Sequence, residues 1–283
     1  MSAVAAAHVR RLGGRFGAEV TGLPAVDGLT DGDLARLRDL LLEHKVVGLR
    51  DQHLGATEQG RLVARLAGAA PYGALRARAW PAAADGPALA HAPSPARWVC
   101  DRSWLLAPPA IVCLRAATPD VAGECTPFAD AGGAYRDLPG PLRALAERSW
   151  AVHQAGRAAP ADRGDGPVAH PVVRLHTETG ERTLLLGGHA RRLVGMTIAE
   201  SRTVIHLLQS YLVRPHNVQH RTWRPGDLLL VDARAVQRHA RSGRGPATAT
   251  TSWAEVAGDA PLGVDGQHSH ALGTTLPGAR RSA

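Results

Sequence analysis

Two short segments of the chain carry side chains that could transfer protons or hold a metal ion. The first, WVCDRSW, covers residues 98–104 and places the Cys100 thiol next to the Asp101 carboxylate. The second, VDARAVQRHA, covers residues 231–240 and contains His239. Carboxylate, thiol and imidazole groups serve as general acids and bases, and they also ligate transition metals. The residue types alone leave both chemistries open.

The elements that must position these segments are short strands with helices laid outside them. Apolar and β-branched runs predict strands within residues 9–23, 45–52, 109–116, 170–187 and 220–235. Helical periodicity predicts helices over residues 30–44, 57–68, 128–148 with a break at Pro139, and 197–216. The two Ala-, Gly- and Pro-rich stretches, 76–97 and 154–169, predict long loops.

This order of elements predicts a mostly β fold with peripheral helices (α+β), built as a double-stranded jelly-roll barrel. Such a barrel pairs two sheets and so removes exposed strand edges. No internal repeat or linker divides the sequence, which predicts a single domain over residues 1–262. Residues 263–283 are rich in Gly, Ser and Pro and predict a flexible C-terminal tail.

Composition limits the classes of function. The chain has 283 residues, of which 45% are hydrophobic and 20% charged, as in soluble globular proteins. It contains no run of 18 apolar residues and no basic segment before its Ala-rich start, which predicts a cytoplasmic protein without a membrane partner. The net charge of +8 comes from scattered arginines and a single lysine, Lys45, so nucleic acid is not an expected partner.

The three cysteines, Cys100, Cys113 and Cys125, form neither a metal-binding pair nor a disulfide framework. Buried free thiols are the structural expectation for such residues. Cys100, Cys125 and His170 nevertheless remain acid–base candidates beside Asp101.

Five segments, in order along the chain, resemble the TauD/TfdA family of iron(II)- and 2-oxoglutarate-dependent dioxygenases. They are GAEVTGL, LTDGDLARLRDLLLEHKVVGLRDQHL, GECTPFADAGGAYRDLP, HPVVRLHTETGERTLLL and WRPGDLLLVDARA. The resemblance implies the jelly-roll fold and a small organic substrate. Family members often form dimers or tetramers, so a homo-oligomer is compatible with it.

The resemblance also implies where the iron ligands would stand. The family holds iron(II) with two histidines and one carboxylate. Its His-x-Asp motif falls on Val99 and Asp101, and its distal histidine, six residues after Asp232, falls on Arg238. Valine has no lone pair, and a guanidinium is permanently protonated. Two of the three ligands are therefore expected to be lost.

The resemblance also implies that a residue which binds 2-oxoglutarate in the family has been replaced. The family's two later arginines, the second of which binds 2-oxoglutarate, fall on Ala249 and Trp253, whereas Thr126 remains at a family position. The sequence predicts a degenerate facial triad, with neither metal nor cofactor bound. The fallback is iron(II) and 2-oxoglutarate with a relocated metal site that includes Asp101 and His239.

Three hypotheses about function follow. The first is a diverged enzyme that acts on a small organic molecule, such as a natural-product intermediate, without iron and 2-oxoglutarate. The second is a non-catalytic pseudoenzyme or binding protein, and the third is an active oxygenase with relocated ligands. The catalytic candidates are Asp101, Arg238 and Cys100. The predicted substrate pocket contains Val99, Trp98, Trp104, Cys125, Thr126, His170 and Trp253.

Three geometric predictions separate these hypotheses. If Arg238 takes the inward position of the lost histidine, strand alternation turns His239 outward. Arg238 can then form a charge-assisted hydrogen bond with Asp101 in place of the metal. Trp253 is expected to narrow the pocket with an aromatic wall.

Overall fold

The computed structural model describes Val4 and residues 7–68, 78–80, 98–117, 122–155, 166–239 and 251–273. Most of the two predicted loops and Ala249 lie outside these ranges.

Eighteen strands are present in the described part of the chain. They are β1 (His8–Arg11), β2 (Ala18–Thr21), β3 (Val46–Leu49), β4 (Arg78–Trp80), β5 (Trp98–Val99), β6 (Pro109–Ala116), β7 (Cys125–Asp130), β8 (Trp150–His153), β9 (Val168–Pro171), β10 (Val173–Leu175), β11 (Arg182–Leu184), β12 (Ala190–Leu193), β13 (Val218–Thr222), β14 (Leu228–Asp232), β15 (Val236–His239), β16 (Thr251–Ala257), β17 (Leu262–Gly263) and β18 (His270–Ala271).

Two sheets form the walls of the barrel. The main sheet has the strand order β1-β2-β3-β14-β6-β16-β4, and the second sheet has the order β13-β7-β15-β5. All pairs in these two sheets are antiparallel except β2 with β3. Two smaller sheets, β11-β10-β17 and β12-β8-β9-β18, complete the β structure.

In the ranges that the structure describes, five α-helices of six or more residues cover the outer faces of the sheets. They are α1 (Asp31–His44), α2 (Ala56–Gly68), α3 (Ala131–Arg136), α4 (Gly140–Glu147) and α5 (Ile198–Leu212). The Thr30 hydroxyl accepts a hydrogen bond from the Asp33 backbone N–H, and the Asp33 carboxylate accepts one from the Thr30 backbone N–H, so a capping box begins α1. None of the described helices is long and apolar enough to cross a membrane.

Strand alternation sorts the apolar side chains into three layers. On β14, Leu228 and Leu230 join an outer cluster with α1 and α2, whereas Leu229 and Val231 point the other way. These two inward residues meet Phe128 of the second sheet in an inner cluster between the sheets. A second outer cluster lies between the second sheet and α5. The layering confirms the predicted jelly roll.

Two predicted irregular regions contain strands. β4 lies within residues 76–97, where it pairs with β16. β17 crosses the predicted start of the tail at residue 263 and pairs with β10, and β18 lies within the predicted tail and pairs with β9. Short segments next to an existing strand edge gain backbone hydrogen bonds from that edge, and composition does not reveal them. Residues 274–283 of the predicted tail lie outside the described residues.

Candidate functional site in the barrel interior

The WVCDRSW segment is held against strand β15. Arg238 is the register partner of Val99, and His239 is the partner of Trp98. On the other side, Gly188 donates its backbone N–H to the Trp98 carbonyl at 2.9 Å. A Cβ at Gly187 would lie 3.0 Å from backbone atoms of residues 98 and 100, so a side chain there would push this segment away.

Alternation along β15 directs Arg238 into the barrel. Val236 belongs to the inner cluster, and Arg238 lies two residues further on the same face. Gln237 points outward, where its Nε2 donates to the Leu184 carbonyl at 3.2 Å. The His239 ring packs edge-on against Trp98 at 5.2 Å, in the outer cluster. The predicted outward direction of His239 is confirmed.

Arg238 and Asp101 form the predicted pair. Nε and Nη2 of Arg238 donate to the same oxygen, Oδ1 of Asp101, at 3.3 and 3.1 Å. The Arg238 side chain is 16% exposed and that of Asp101 is 6% exposed. His239 lies on the opposite face of β15 from Arg238, where its ring packs against Trp98.

Trp253 meets Arg238 from the opposite wall. Trp253 lies on β16, a strand of the main sheet. Its ring centroid lies 4.9 Å from the Arg238 guanidinium carbon, which is a cation–π geometry. The Trp253 indole Nε1 in turn donates to Oε2 of Glu255 at 3.3 Å. Oε1 of Glu255 accepts a 2.8 Å hydrogen bond from Nη1 of Arg102. We call Asp101, Arg238, Trp253, Glu255 and Arg102 the interior polar chain.

Glu255 and Arg102 were not predicted from the sequence. Both are buried, at 8% and 7% exposure, and they form an ion pair. The signal for Glu255 was its spacing, because it lies two residues after Trp253 and so shares the inward face of β16. Arg102 has a φ of 51°, in the left-handed region that side chains rarely adopt, and the sequence carried no sign of that turn.

Thr126 also faces the interior, next to the inner-cluster residue Trp223. Its hydroxyl oxygen accepts a 2.8 Å hydrogen bond from the Trp223 indole N–H. Both side chains are buried. Val99, Asp101, Thr126, Arg238 and Trp253 are the sequence-predicted site residues that the strand directions place on the inner side.

Three other predicted site residues point away from this side. Trp98 lies in the outer cluster, two residues before Cys100. The Cys100 thiol donates to the Leu186 carbonyl at 2.9 Å, and burial raises the pKa of this thiol to about 12. Cys125 is exposed, with its sulfur 3.6 Å from Nδ1 of His220, which differs from the predicted burial. Alternation along β5 and β7 accounts for the directions of Trp98 and Cys125, and the hydrogen bond to Leu186 gives that of Cys100.

His170 belongs to a separate buried cluster beneath the WVCDRSW segment. Its Nε2 lies 2.9 Å from the Ser103 carbonyl oxygen, and its Nδ1 lies 2.6 Å from the Ser269 hydroxyl. The His153 Nδ1 lies 3.0 Å from the Ser103 hydroxyl, and the two imidazoles pack edge to face at 4.9 Å. Burial lowers the pKa of His170 to about 4 and that of His153 well below its ordinary value. The contacts support the segment that carries Asp101.

Trp104 packs against His189, with ring centroids 4.5 Å apart. The Nδ1 atom of His189 is buried and has no hydrogen-bond partner among the described residues. Burial, followed by the charges of Arg191 and Arg238, lowers the pKa of His189 to about 4. His189 is a second polar group near Arg238 that the sequence did not single out.

The fold is a jelly roll similar to the folds of solved dioxygenases. The crystal structure of a taurine dioxygenase from Burkholderia xenovorans superimposes with a TM-score of 0.80 and 27% identity, over 94% of this chain and 96% of that one. A family model described as "Taurine catabolism dioxygenase TauD, TfdA family" matches residues 8–250. The chain therefore belongs to the TauD/TfdA family.

Two curated relatives are similar over nearly their whole length. An alkylsulfatase of Acinetobacter baylyi is 31% identical over 95% of this chain and 90% of its own. An alpha-ketoglutarate-dependent sulfate ester dioxygenase of Pseudomonas putida is 30% identical over 92% of this chain and 93% of its own.

The interior residues do not fit the iron and 2-oxoglutarate of this family. Val99 offers no ligand atom, and the Arg238 guanidinium binds the carboxylate that an iron ion would need. The described residues contain no group of three or more His, Cys, Asp or Glu side chains arranged to hold a metal ion. Trp253 presents one neutral N–H, and Glu255 already accepts it.

Proposed function

We propose that the chain is a diverged TauD/TfdA-family enzyme that acts on a small organic molecule in the barrel interior without iron and 2-oxoglutarate. The observation that carries the proposal is the Arg238–Asp101 pair, with hydrogen bonds of 3.3 and 3.1 Å. It joins the positions of two of the three iron ligands. Natural-product biosynthesis in the cytoplasm is the setting that we propose for this activity.

Electrostatics supports the proposal. A guanidinium beside Asp101 repels a divalent cation, and metal binding would require the ion pair to separate. Breaking a buried pair leaves an uncompensated charge, which typically costs about 3–5 kcal/mol. A metal ion bound by Asp101 would have to recover the cost of separating the ion pair. It would do so with fewer protein ligands than the family uses, because Val99 supplies no ligand atom.

Trp253, at the position that the resemblance assigns to 2-oxoglutarate binding, supports the proposed function independently. A bidentate guanidinium–carboxylate contact provides two charged hydrogen bonds. Trp253 replaces that donor with an indole whose N–H is directed to Glu255 and whose ring faces Arg238. The change converts a carboxylate-binding position into an aromatic wall.

The interior polar chain offers binding groups to a substrate. Arg238 is a fixed donor that remains partly exposed, and Asp101 is a fixed acceptor. Because each holds the other, both enter a substrate complex with little further loss of side-chain entropy. A binding protein without turnover would use the same contacts, and product formation separates it from an enzyme.

A second candidate is an iron- and 2-oxoglutarate-dependent dioxygenase. The relatives favour it, since the Pseudomonas putida protein carries that dependence in its name. The experiment that decides is an anaerobic loading with iron(II), followed by 2-oxoglutarate and oxygen, with succinate formation as the readout. The Pseudomonas putida dioxygenase serves as the positive control. We expect no succinate above background, and catalytic succinate formation by this chain would favour the second candidate.

A further inference from the structure

The interior polar chain forms a closed ring. Asp101 and Arg102 follow one another in the sequence, but their side chains bind partners on different sheets. Oδ1 of Asp101 accepts hydrogen bonds of 3.3 and 3.1 Å from Arg238 on β15, in the second sheet. Nη1 of Arg102 donates one of 2.8 Å to Glu255 on β16, in the main sheet. Trp253 completes the ring, because its indole N–H donates to Glu255 at 3.3 Å and its ring centroid lies 4.9 Å from the Arg238 guanidinium carbon.

The backbone of Arg102 depends on contacts that hold it in place. Its φ of 51° lies in the left-handed region, which is unfavourable for a residue with a side chain. Residues in this region persist only where the surrounding structure fixes them, and they are frequent at binding and catalytic sites. The buried ion pair with Glu255 is a contact that fixes Arg102. It therefore also fixes the backbone that carries Asp101.

Glu255 reaches the Arg238–Asp101 pair along two routes. The first runs through Arg102 and one peptide bond to Asp101. The second runs through Trp253, because Oε2 of Glu255 accepts the indole N–H and so holds the ring with its face toward the Arg238 guanidinium. Both routes consist of buried or partly buried contacts, which water and salt screen less than contacts on the surface.

We infer that Glu255 and Arg102 are positioning residues for the binding groups Arg238 and Asp101. Glu255 holds the Trp253 ring against the guanidinium, and Arg102 holds the backbone of the carboxylate. The inference rests on the proposed function, in which Arg238 and Asp101 bind the substrate. Binding groups that are fixed before the substrate arrives lose less side-chain entropy on binding, so their fixed positions favour affinity.

The test measures how firmly Arg238 is held in the full chain. Isotope-labelled arginine gives a nuclear magnetic resonance signal for the Nε–H of Arg238, which Arg238→Gln identifies by its loss, and exchange of this proton with water is followed at neutral pH. We expect Glu255→Leu to speed the exchange about tenfold, because Arg238 opens from Asp101 more often when Trp253 is not held. Arg102→Gly should speed it at least about threefold, since glycine adopts this backbone conformation without strain and only the ion pair is lost.

Two further variants control for a general loss of stability. Glu43→Gln removes a surface ion pair with Arg11 and should leave the exchange unchanged. Glu255→Gln keeps one acceptor oxygen for two donors and should give a rate between those of the wild type and Glu255→Leu. An unchanged rate in Arg102→Gly or in either Glu255 variant, in a chain whose circular dichroism is native, overturns the inference.

A second measurement follows Trp253 itself. Fluorinated tryptophan gives one fluorine resonance for each of the six tryptophans, and Trp253→Phe assigns that of Trp253. Glu255→Leu should shift or broaden this resonance, because the indole loses its hydrogen-bond acceptor. A role in stability alone would lower the urea midpoint and leave both the Trp253 resonance and the Arg238 exchange unchanged, and that result also overturns the inference.

The two proposals fail in different ways, because both measurements are made without iron and 2-oxoglutarate. Succinate formation with iron and 2-oxoglutarate refutes the proposed function. Unchanged Arg238 exchange in variants of a chain that forms no succinate refutes only the positioning role.

Discussion

The guanidinium carbon of Arg238 lies 4.9 Å from the centroid of the Trp253 ring, while its Nη2 lies 3.1 Å from Oδ1 of Asp101. Arg238 belongs to the second sheet and Trp253 to the main sheet, so the contact spans the barrel interior. Arg238, at the position that the resemblance assigns to a metal-ligating histidine, thereby contacts Trp253, at the position that the resemblance assigns to 2-oxoglutarate binding. The contact between Arg238 and Trp253 has cation–π geometry.

Arg238 and Asp101 should be energetically coupled. In a double-mutant cycle with Arg238→Met and Asp101→Asn, we expect a coupling energy of about 1–3 kcal/mol, because each single change leaves a partly buried polar group without its main partner. Urea unfolding of the four proteins measures it.

The control for this cycle is the exposed Arg11–Glu43 pair. Arg11→Met and Glu43→Gln should couple by less than about 0.5 kcal/mol, since water screens surface ion pairs. Equal coupling in the two cycles would show that the interior contact contributes nothing specific to stability.

Restoring two histidines should restore metal binding. Val99 and Arg238 are cross-strand partners, and Asp101 follows Val99 by two residues, so Val99→His with Arg238→His groups two imidazoles and a carboxylate. We expect the double variant to bind cobalt(II) at one equivalent, with visible d–d absorption that the wild type lacks. Val99→His alone is the control and should bind weakly, because Arg238 still pairs with Asp101. The same absorption in the wild type would contradict the account.

Much of the fold could be predicted from the sequence, because the strand β6 and the capping boxes of α1 and α5 have local signals. The two-residue strands β17 and β18 could not, since backbone pairing alone defines them.

At the site, motif spacing correctly brought Asp101 and Arg238 together, and alternation gave the direction of His239. Period-two alternation, applied to Trp98, Cys100 and Cys125, would also have turned them outward. The Arg102–Glu255 ion pair could not be predicted from the sequence, because it depends on the left-handed backbone conformation of Arg102.

The buried imidazoles should make stability depend on pH between neutrality and pH 4. The pKa values of His170 and His189 fall from 6.5 to about 4 on folding, so the folded chain binds fewer protons below pH 6.5. The free energy of unfolding is therefore fully maintained above pH 6.5 and decreases as the pH falls toward 4. Urea midpoints at about pH 7, above this range, and at about pH 6 and 5, between 6.5 and about 4, measure the slope.

His170→Asn should flatten this slope, and His8→Gln is the control because His8 is exposed on β1. A slope that His170→Asn leaves unchanged would remove the buried cluster as its cause.

Thiol labelling should distinguish the three cysteines. Cys125 is exposed, whereas burial raises the pKa of Cys100 and Cys113 to about 12. A thiol reagent at pH 8 should therefore label one cysteine of the native chain quickly and all three only after unfolding, since the thiolate is the reactive form. Cys125→Ser should abolish the fast phase. Rapid native labelling of Cys100 would restore it as an acid–base candidate.

Metal content tests the central claim most directly. The wild-type chain is incubated anaerobically with excess iron(II), freed of unbound metal by gel filtration, and analysed for iron by mass spectrometry, with the Pseudomonas putida dioxygenase treated in parallel. The Arg238–Asp101 pair predicts iron far below one equivalent in this chain and close to one in the relative. One equivalent of iron in the wild type, lost on Asp101→Asn, would contradict the account.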